Sequence, residues 1–308
     1  MIIDFENTIH VSDSIITFGN FDGVHKGHKL IINELKKISN KENLKSVLVT
    51  FNPHTAFITQ DDSINHKVIT PHDYKISLLK NESIDFISVI DFNLLFSKIT
   101  YDLFLDKIIE KYNPRIILIG YDNRFGYKAK GNVNSLSKSA KILSKNIKVL
   151  SLDKLIKSDI EIKSSAIKDY ISSGNMKFAN EALGRKYKLF GKIVKGKSLG
   201  NLLGFPTANL EVSNKQQIIP KVGVYYVNFV IGNNRFKSLC NIGYKPTFGN
   251  NNKLSIETHI LSKENFDLYN LDVEIEFIDY IREEIKFSST EFLIEQINKD
   301  IKKVNKIN

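Results

Sequence analysis

Two histidines stand close together in a glycine-rich stretch near the start of the chain. The stretch runs from Gly19 to His28 and reads Gly-Asn-Phe-Asp-Gly-Val-His-Lys-Gly-His. His25 and His28 can each donate hydrogen bonds to phosphate oxygens, and a protonated imidazole adds positive charge. The glycines allow a close approach of backbone to ligand or a positive φ. These residue types predict a phosphate-binding turn in which Gly19 also takes part.

Polar side chains also follow two later apolar runs of the first half. His54 comes shortly after Ser46–Phe51, and a loop from Asp122 to Gly126 comes after Arg115–Ile119. Asp122 offers an acceptor to a ring or a ribose, and Phe125 offers a face for stacking. Taken alone, His54 is more typical of an ordinary loop histidine, whereas the loop from Asp122 to Gly126 is as typical of a polar turn as of a binding site.

A third candidate for phosphate binding is a predicted helix start at 163–168. Ser164, Ser165 and Lys168 would present two hydroxyls and an ammonium group to a triphosphate. The same serines are typical of a simple N-terminal cap, and their spacing alone favours the cap.

The second half of the chain has a different set of candidates. The loop from Gly200 to Asn209 contains Gly204 and, after a stiffening Phe-Pro pair, Thr207. The hydroxyl of Thr207 and the amide oxygen of Asn209 are hard ligands suited to Mg²⁺ beside a nucleotide. Glu257 lies within a strand pattern, where a carboxylate is most often a solvated surface group.

The elements that must position these residues fall into two patterns. Up to about residue 150, short β-branched runs alternate with helical spacing, which predicts a parallel sheet covered by helices on both faces. The carboxyl ends of such strands share one edge of the sheet. We therefore expect the glycine-rich stretch, His54 and the loop that begins at Asp122 to meet in one crevice. The helices are predicted to begin after the glycine-rich stretch, at Tyr101, at Ser135 and at Thr70-Pro71, where Thr70 would be the capping residue. The helix from Ser135 would run to Leu143.

From about Leu189 the strand candidates show a partial alternation of apolar and polar residues. They are separated by Gly- and Asn-rich turns, which predicts an antiparallel barrel or sandwich. Ser289 is predicted to cap a closing helix that runs through Ile301. The fold class is therefore α/β plus all-β, with domains at 1–184 and 185–308. The 308 residues are enough for two such cores.

The amino-acid composition is typical of a globular protein and excludes some other classes. Hydrophobic residues make up 42% and charged residues 25%, as in ordinary globular domains, and no apolar run reaches membrane-spanning length. Cys240 is the single cysteine, which excludes an intramolecular disulfide and fits a cytoplasmic protein. The net charge of +10 suits anionic substrates or nucleic acid, but the lysines are scattered and form no Arg-rich stripe.

The glycine-rich stretch resembles the His-x-Gly-His motif of the nucleotidyltransferase superfamily. Nearly the whole chain, in family order, resembles the bacterial bifunctional riboflavin kinase/FAD synthetase family, and the run Gly204-Phe205-Pro206-Thr207-Ala208-Asn209 is especially typical of riboflavin kinase modules. The resemblance implies a Rossmann-like adenylyltransferase domain followed by a kinase barrel with a closing helix. It implies ATP, riboflavin and FMN as substrates, without a membrane or nucleic-acid partner, and leaves a homo-oligomer open.

The resemblance also implies a role for each candidate residue. Glu257 would be the general base of the kinase, Thr207 and Asn209 would hold Mg²⁺, and His25 and His28 would stabilise the phosphates during adenylyl transfer. The remaining implied contacts are with ATP or its phosphates at Gly19, Phe21, His54, Ser164, Ser165, Lys168, Gly200 and Gly204, and with flavin at Asp122, Phe125 and Arg282.

Two further hypotheses stay open at this point. The chain departs from the family pattern at Lys168, where arginine is usual, and at Asn123, where an aromatic is usual. A kinase whose adenylyltransferase half is degenerate is therefore one alternative. A nucleic-acid-binding protein with the superfamily fold is the other, and steeply salt-dependent binding to tRNA would indicate it.

Overall fold

The structure is a computed structural model that describes residues 1–6, 10–59, 66–152, 156–157, 160–196, 204–245, 253–262 and 266–307. The chain divides into two compact units, Met1–Ser164 and Ser165–Asn308. Within the described ranges, none of the helices combines the length and the apolar character needed to cross a membrane. The functional boundary after residue 184 remains a prediction.

The first unit is built on a six-stranded parallel sheet. Its strands are short and rich in β-branched residues, and the three central ones are almost wholly buried, as the sequence predicted. The strands are β1 Ile2–Asp4, β2 Ser14–Phe18, β3 Lys45–Asn52, β4 Phe86–Asp91, β5 Pro114–Gly120 and β6 Lys148–Leu152. The helices are α1 Lys26–Glu42, α2 Ala56–Thr59, α3 His72–Lys80, α4 Leu94–Ser97, α5 Tyr101–Tyr112, α6 Val133–Ser137 and α7 Ala140–Ser144.

Strand order determines where a ligand can bind. The sheet runs β1-β4-β3-β2-β5-β6, so the chain leaves β2 toward β3 on one side and later returns to add β5 on the other. This reversal opens a crevice at the carboxyl ends of β2 and β5. One buried cluster, which includes Phe18 and Phe104, packs on one face of the sheet, and another, which includes Ile32 and Leu35 of α1, packs on the other.

Two local predictions in this unit were wrong. The single helix predicted from Ser135 to Leu143 is two short helices, and the first begins earlier, where the Asn132 side chain and Ser135 form a capping box. Serine side chains near the break compete with backbone N–H groups for the carbonyl acceptors of the helix. The hydroxyl of Ser137, for example, donates to the carbonyl of Val133. Thr70 does not cap α3, because its hydroxyl accepts the amide N–H of Gly23 instead.

The second unit contains a closed antiparallel barrel of six strands, ordered β10-β13-β12-β11-β14-β9. The barrel alternative is thus confirmed over the sandwich. Its strands are β9 Tyr187–Val194, β10 Ala208–Val212, β11 Gly223–Ile231, β12 Asn234–Lys245, β13 Lys253–Ile260 and β14 Asp272–Arg282. A two-stranded ribbon, β7 Ile156–Lys157 and β8 Ile160–Glu161, belongs to the first unit.

The described residues of the second unit also form the helices α8 Ser164–Ser172, α9 Met176–Leu183 and α10 Thr290–Lys306. The closing helix α10 starts after Ser289, as predicted, and buries Val304 against an apolar cluster with Val224 and Ile281. The sequence interpretation missed β10. It treated Ala208 and Asn209 as the end of a loop, whereas they begin this strand.

Candidate active sites

A cleft of about 560 Å³ opens at the carboxyl ends of β2, β3 and β5. The three loops that were expected to converge all contribute to its lining. Of the predicted site residues, the structure brings together Gly19, Phe21, His28, His54, Asp122, Phe125 and Ser164 along this cleft.

The two histidines of the glycine-rich stretch stack on each other at the start of α1. Their ring centroids are 3.6 Å apart with an interplanar angle of 17°. His25 is the N-cap residue of α1, and its Nδ1 accepts the amide N–H of His28 at 3.3 Å. An accepting Nδ1 leaves the proton of the neutral ring on Nε2. His25 is buried, and His28 is the one of the pair that lines the cleft. Gly27 is constrained, because a Cβ there would lie 3.1 Å from the His25 ring.

The turn before the histidines has an uncommon backbone. Phe21 has φ 51° and Val24 has φ 39°, a region that L residues and β-branched residues in particular avoid. The buried carboxylate of Asp22 accepts the amide N–H groups of Ile69 and Thr70 at 2.9 and 3.1 Å. These bonds hold a strained turn in place, and strain of this kind collects at functional sites.

The other residues of the cleft differ in solvent exposure and in the contacts that their side chains already make. Asp122 is exposed, and the Nδ1 atom of His54 accepts the amide N–H of Ala56 at 3.2 Å. Phe125 is only 7% exposed and packs edge-on against Phe18, so its ring belongs largely to the core. Ser164 donates its hydroxyl to the carbonyl of Asp22 at 3.0 Å.

Ser165 and Lys168 lie on α8 and belong to the second unit. Ser165 is exposed and Lys168 is partly exposed. Their proposed contacts with ATP remain predictions.

A second cleft, of about 330 Å³, lies on the barrel. Glu257 of β13 lines it and has two amides as cross-strand neighbours, Asn209 on β10 and Asn241 on β12. Directly opposite residues on neighbouring strands share a face of the sheet, so these three side chains form a polar row. The hydroxyl of Thr207 lies 3.5 Å from the Glu257 carboxylate. The predicted kinase residues are therefore close together.

The rim of this second cleft is fixed by polar contacts. Arg282 binds the buried carboxylate of Asp300 on α10 through Nη2 at 2.8 Å and Nε at 2.9 Å, and it lines the cleft. Its contact with flavin remains a prediction. A ring nitrogen of His259 lies 2.8 Å from the carbonyl of Pro206, which ties the Thr207 segment to β13. Gly204 has φ 78° at the turn that leads into this segment. Gly200 lies outside the described residues.

Sequence reasoning missed several residues that build these clefts. Lys75 lies beneath the first cleft, and Asn241 and Glu284 line the second, where the Asn241 amide donates to Glu284 at 3.0 Å. Asn241 could have been found by pairing the predicted strands, which places it opposite Glu257, whereas Glu284 lies beyond the end of the last strand. Lys75 carries no such signal, because it is one lysine among many in the sequence.

The oxygen ligands that the second site offers are of the kind that magnesium prefers. The Thr207 hydroxyl, just before β10, lies 3.5 Å from the Glu257 carboxylate, and Asn209 lies directly opposite Glu257 on the neighbouring strand. Thr207 and Asn209 supply neutral oxygen ligands beside a carboxylate, and Mg²⁺ prefers oxygen ligands completed by substrate phosphates.

The two units match two different family models. A family model for FAD synthetase matches residues 8–166, and a family model for riboflavin kinase matches residues 183–308. A solved structure of a macrolide-efflux protein from Streptococcus pneumoniae is 27% identical, covers 100% of this chain and 99% of its own, and superposes with a TM-score of 0.88. It shows that the two-unit fold is shared over the full length.

Relatives of this chain are named for both activities, riboflavin kinase and FMN adenylyltransferase. The bifunctional riboflavin kinase/FMN adenylyltransferase of Buchnera aphidicola subsp. Schizaphis graminum is 36% identical over 96% of this chain and 94% of its own. The protein of the same name from Listeria monocytogenes is 32% identical over 94% of this chain and 90% of its own. The chain therefore belongs to the bifunctional riboflavin kinase/FMN adenylyltransferase family.

Proposed function

We propose that this chain makes FAD from riboflavin in two ATP-dependent steps, each at its own cleft. Family membership supplies both activities, riboflavin kinase and FMN adenylyltransferase. The observation that carries the proposal is the presence of two separately built polar clefts, one in each unit. The alternative of a degenerate adenylyltransferase half is not favoured, because His28 lines the first cleft and stacks on His25, the buried N-cap residue of α1.

In the barrel, Glu257 is the proposed general base. It takes the proton of the ribityl 5′-hydroxyl of riboflavin as that oxygen bonds to the γ-phosphorus of ATP and the bond to ADP breaks. Thr207 and Asn209 would hold Mg²⁺, which neutralises phosphate charge when bound. Arg282 would contact the flavin, with its side chain oriented by Asp300.

In the first unit, a phosphate oxygen of FMN attacks the α-phosphorus of a second ATP, and pyrophosphate leaves. The nucleophile is already anionic at neutral pH, so the cleft needs donors for phosphate oxygens rather than a strong base. His25, His28 and His54 are the proposed donors, with Gly19, Phe21, Ser164, Ser165 and Lys168 as further ATP contacts. Asp122 would bind flavin, and Phe125 is proposed to contribute its exposed edge.

We also propose that the functional boundary lies between residues 184 and 185 and that the enzyme works in the cytoplasm. A single cysteine, Cys240, supports a reducing compartment, since disulfide-stabilised proteins carry more. Small-molecule substrates are the proposed partners.

The test uses two single variants of the full chain. Glu257→Gln should lower the rate of FMN formation by about a hundredfold or more and leave FMN adenylylation intact. His28→Ala should lower FAD formation from FMN by about a hundredfold and leave the kinase step intact. Products are separated by chromatography after incubation with ATP and Mg²⁺. Equal loss of both steps in either variant would contradict separate sites, and FMN without FAD from the unmodified chain would indicate a degenerate half.

A further inference from the structure

A buried lysine beneath the first cleft has a complete set of hydrogen-bond acceptors. Lys75 on α3 is 5% exposed. Its Nζ atom donates to the carbonyl oxygen of Asn20 at 3.2 Å, to the hydroxyl of Thr50 at 3.1 Å and to the carbonyl oxygen of Phe51 at 2.9 Å. An ammonium group has three N–H donors, so this geometry uses all of them.

The three acceptors belong to two different walls of the cleft. Asn20 lies in the strained turn that leads to His25 and His28, whereas Thr50 and Phe51 lie at the end of β3, just before His54. Lys75 thus bridges the segments that carry the proposed phosphate donors. Thr50 strengthens the bridge, because its own hydroxyl donates to the carbonyl of Asn20 at 3.2 Å.

A second contact joins the same two walls nearer the cleft. The side-chain amide of Asn20 donates to the Thr55 hydroxyl at 2.9 Å and accepts the Thr55 amide N–H at 3.3 Å. Asn20 is therefore held through its backbone by Lys75 and through its side chain by Thr55. The two contacts together restrict the turn relative to the β3 loop.

The position of the lysine carries an electrostatic cost. Burial lowers the pKa of Lys75 to about 8, although the nearby carboxylate of Asp22 acts in the opposite direction. All three acceptors of Nζ are uncharged oxygens. A methionine would fill similar volume without a buried charge, so stability alone does not account for a lysine here.

We propose that Lys75 is a positioning residue for adenylyl transfer, which sets the spacing between the turn that carries His25 and His28 and the loop that carries His54. This inference rests on the proposed function of the first cleft. Catalytic groups that shift by about 1 Å can lose about a hundredfold in rate. Loss of the bridge should therefore affect turnover more than ATP binding.

The test measures FMN adenylylation and riboflavin phosphorylation separately on the same full-length preparations. Lys75→Met should lower kcat for FAD formation at least tenfold, with KM for ATP within about threefold of the unmodified enzyme and the kinase rate unchanged. Lys80→Met is the matched control, because Lys80 is exposed at the end of the same helix. It should leave both rates unchanged.

The outcomes are distinct. An unmodified enzyme that makes no FAD from FMN contradicts the proposed function of the cleft itself. A Lys75→Met enzyme with kcat within twofold of the unmodified one, or with equal loss of both activities, overturns the positioning role. If Lys75→Met does not fold, Thr50→Val removes one acceptor at nearly constant shape and should lower kcat for FAD formation several-fold. An unchanged kcat in Thr50→Val would then overturn the proposal.

Discussion

At the scale of single residues, a glycine leaves space for a proposed functional side chain in each of the two sites. Gly27 leaves room for the His25 ring, and Gly196 leaves room for the amide of Asn209. A Cβ at position 196 would lie 2.1 Å from Nδ2 of Asn209. The amide is the flexible end of a side chain, so it would swing away rather than disrupt the barrel.

Gly196→Ala should therefore impair the kinase without unfolding the chain. Displacement of a proposed magnesium ligand is expected to lower kcat/KM for FMN formation about tenfold to a hundredfold, with FAD formation from FMN unchanged. Steady-state kinetics of the two half-reactions provide the measurement.

The control for this prediction is a double-mutant cycle with Asn209→Ala. If Gly196 acts through Asn209, the double variant should be no slower than Asn209→Ala alone, since the second change removes the group that the first displaces. Additive losses would show that Gly196 acts by another route.

The residues that the sequence alone indicated most strongly lie in unusual local patterns, whereas Glu257, Ser164 and Ser165 were singled out by the family resemblance. A histidine pair in a glycine-rich turn, or a Thr-x-Asn after Phe-Pro, is informative without a structure. Lys75 and Asp22 were missed because their roles depend on partners distant in sequence. Lys75 reaches Asn20 across 55 residues, and Asp22 reaches Ile69 across 47 residues.

At the scale of elements, the central strands were predictable because burial on both faces requires continuous β-branched runs. The edge strand β1 was missed, since its three residues are too few to form a pattern and it is defined only by pairing with β4. The strand β10 was missed for a different reason. Its first residues belong to a motif whose glycines and proline are typical of loops.

The closing helix α10 offers a test of how one element supports a site. Arg282 of the barrel and Asp300 of α10 form a largely buried pair, and Gln296 also donates to Asp300 at 2.8 Å. Asp300→Asn should lower the free energy of unfolding of the barrel by about 3 kcal/mol, because it leaves the arginine without its charge partner in a desolvated position. Chemical denaturation, followed by circular dichroism and by residual kinase activity, measures this change.

The matched control lies on the same helix. Glu295 and Lys299 form an exposed pair at 2.7 Å, so Glu295→Gln should cost less than about 0.5 kcal/mol. A similar cost for the two variants would mean that the Arg282–Asp300 pair does not hold α10 to the barrel.

At the scale of the whole molecule, the chain combines a parallel sheet and a closed barrel, and we propose that each binds phosphates by different means. At a reversal of strand order the sheet presents a helix N-terminus and imidazoles, whereas the barrel presents a row of polar side chains across three strands. The change of hydrophobic pattern predicted this organisation from sequence. The geometry within each cleft was beyond prediction, because it depends on pairing register and on backbone strain at Phe21 and Val24.

If the clefts are independent, FMN made at one can be used at the other after release into solution. Two chains that each lack one activity should then complement each other. Neither Glu257→Gln nor His28→Ala alone should convert riboflavin to FAD at an appreciable rate.

The most direct test is an equimolar mixture of these two variants, supplied with riboflavin, ATP and Mg²⁺ and analysed by chromatography. We predict that the mixture forms FAD after a lag in which free FMN accumulates. A mixture that forms no FAD, when each variant retains its remaining half-reaction, would contradict the account of two self-sufficient clefts in one chain.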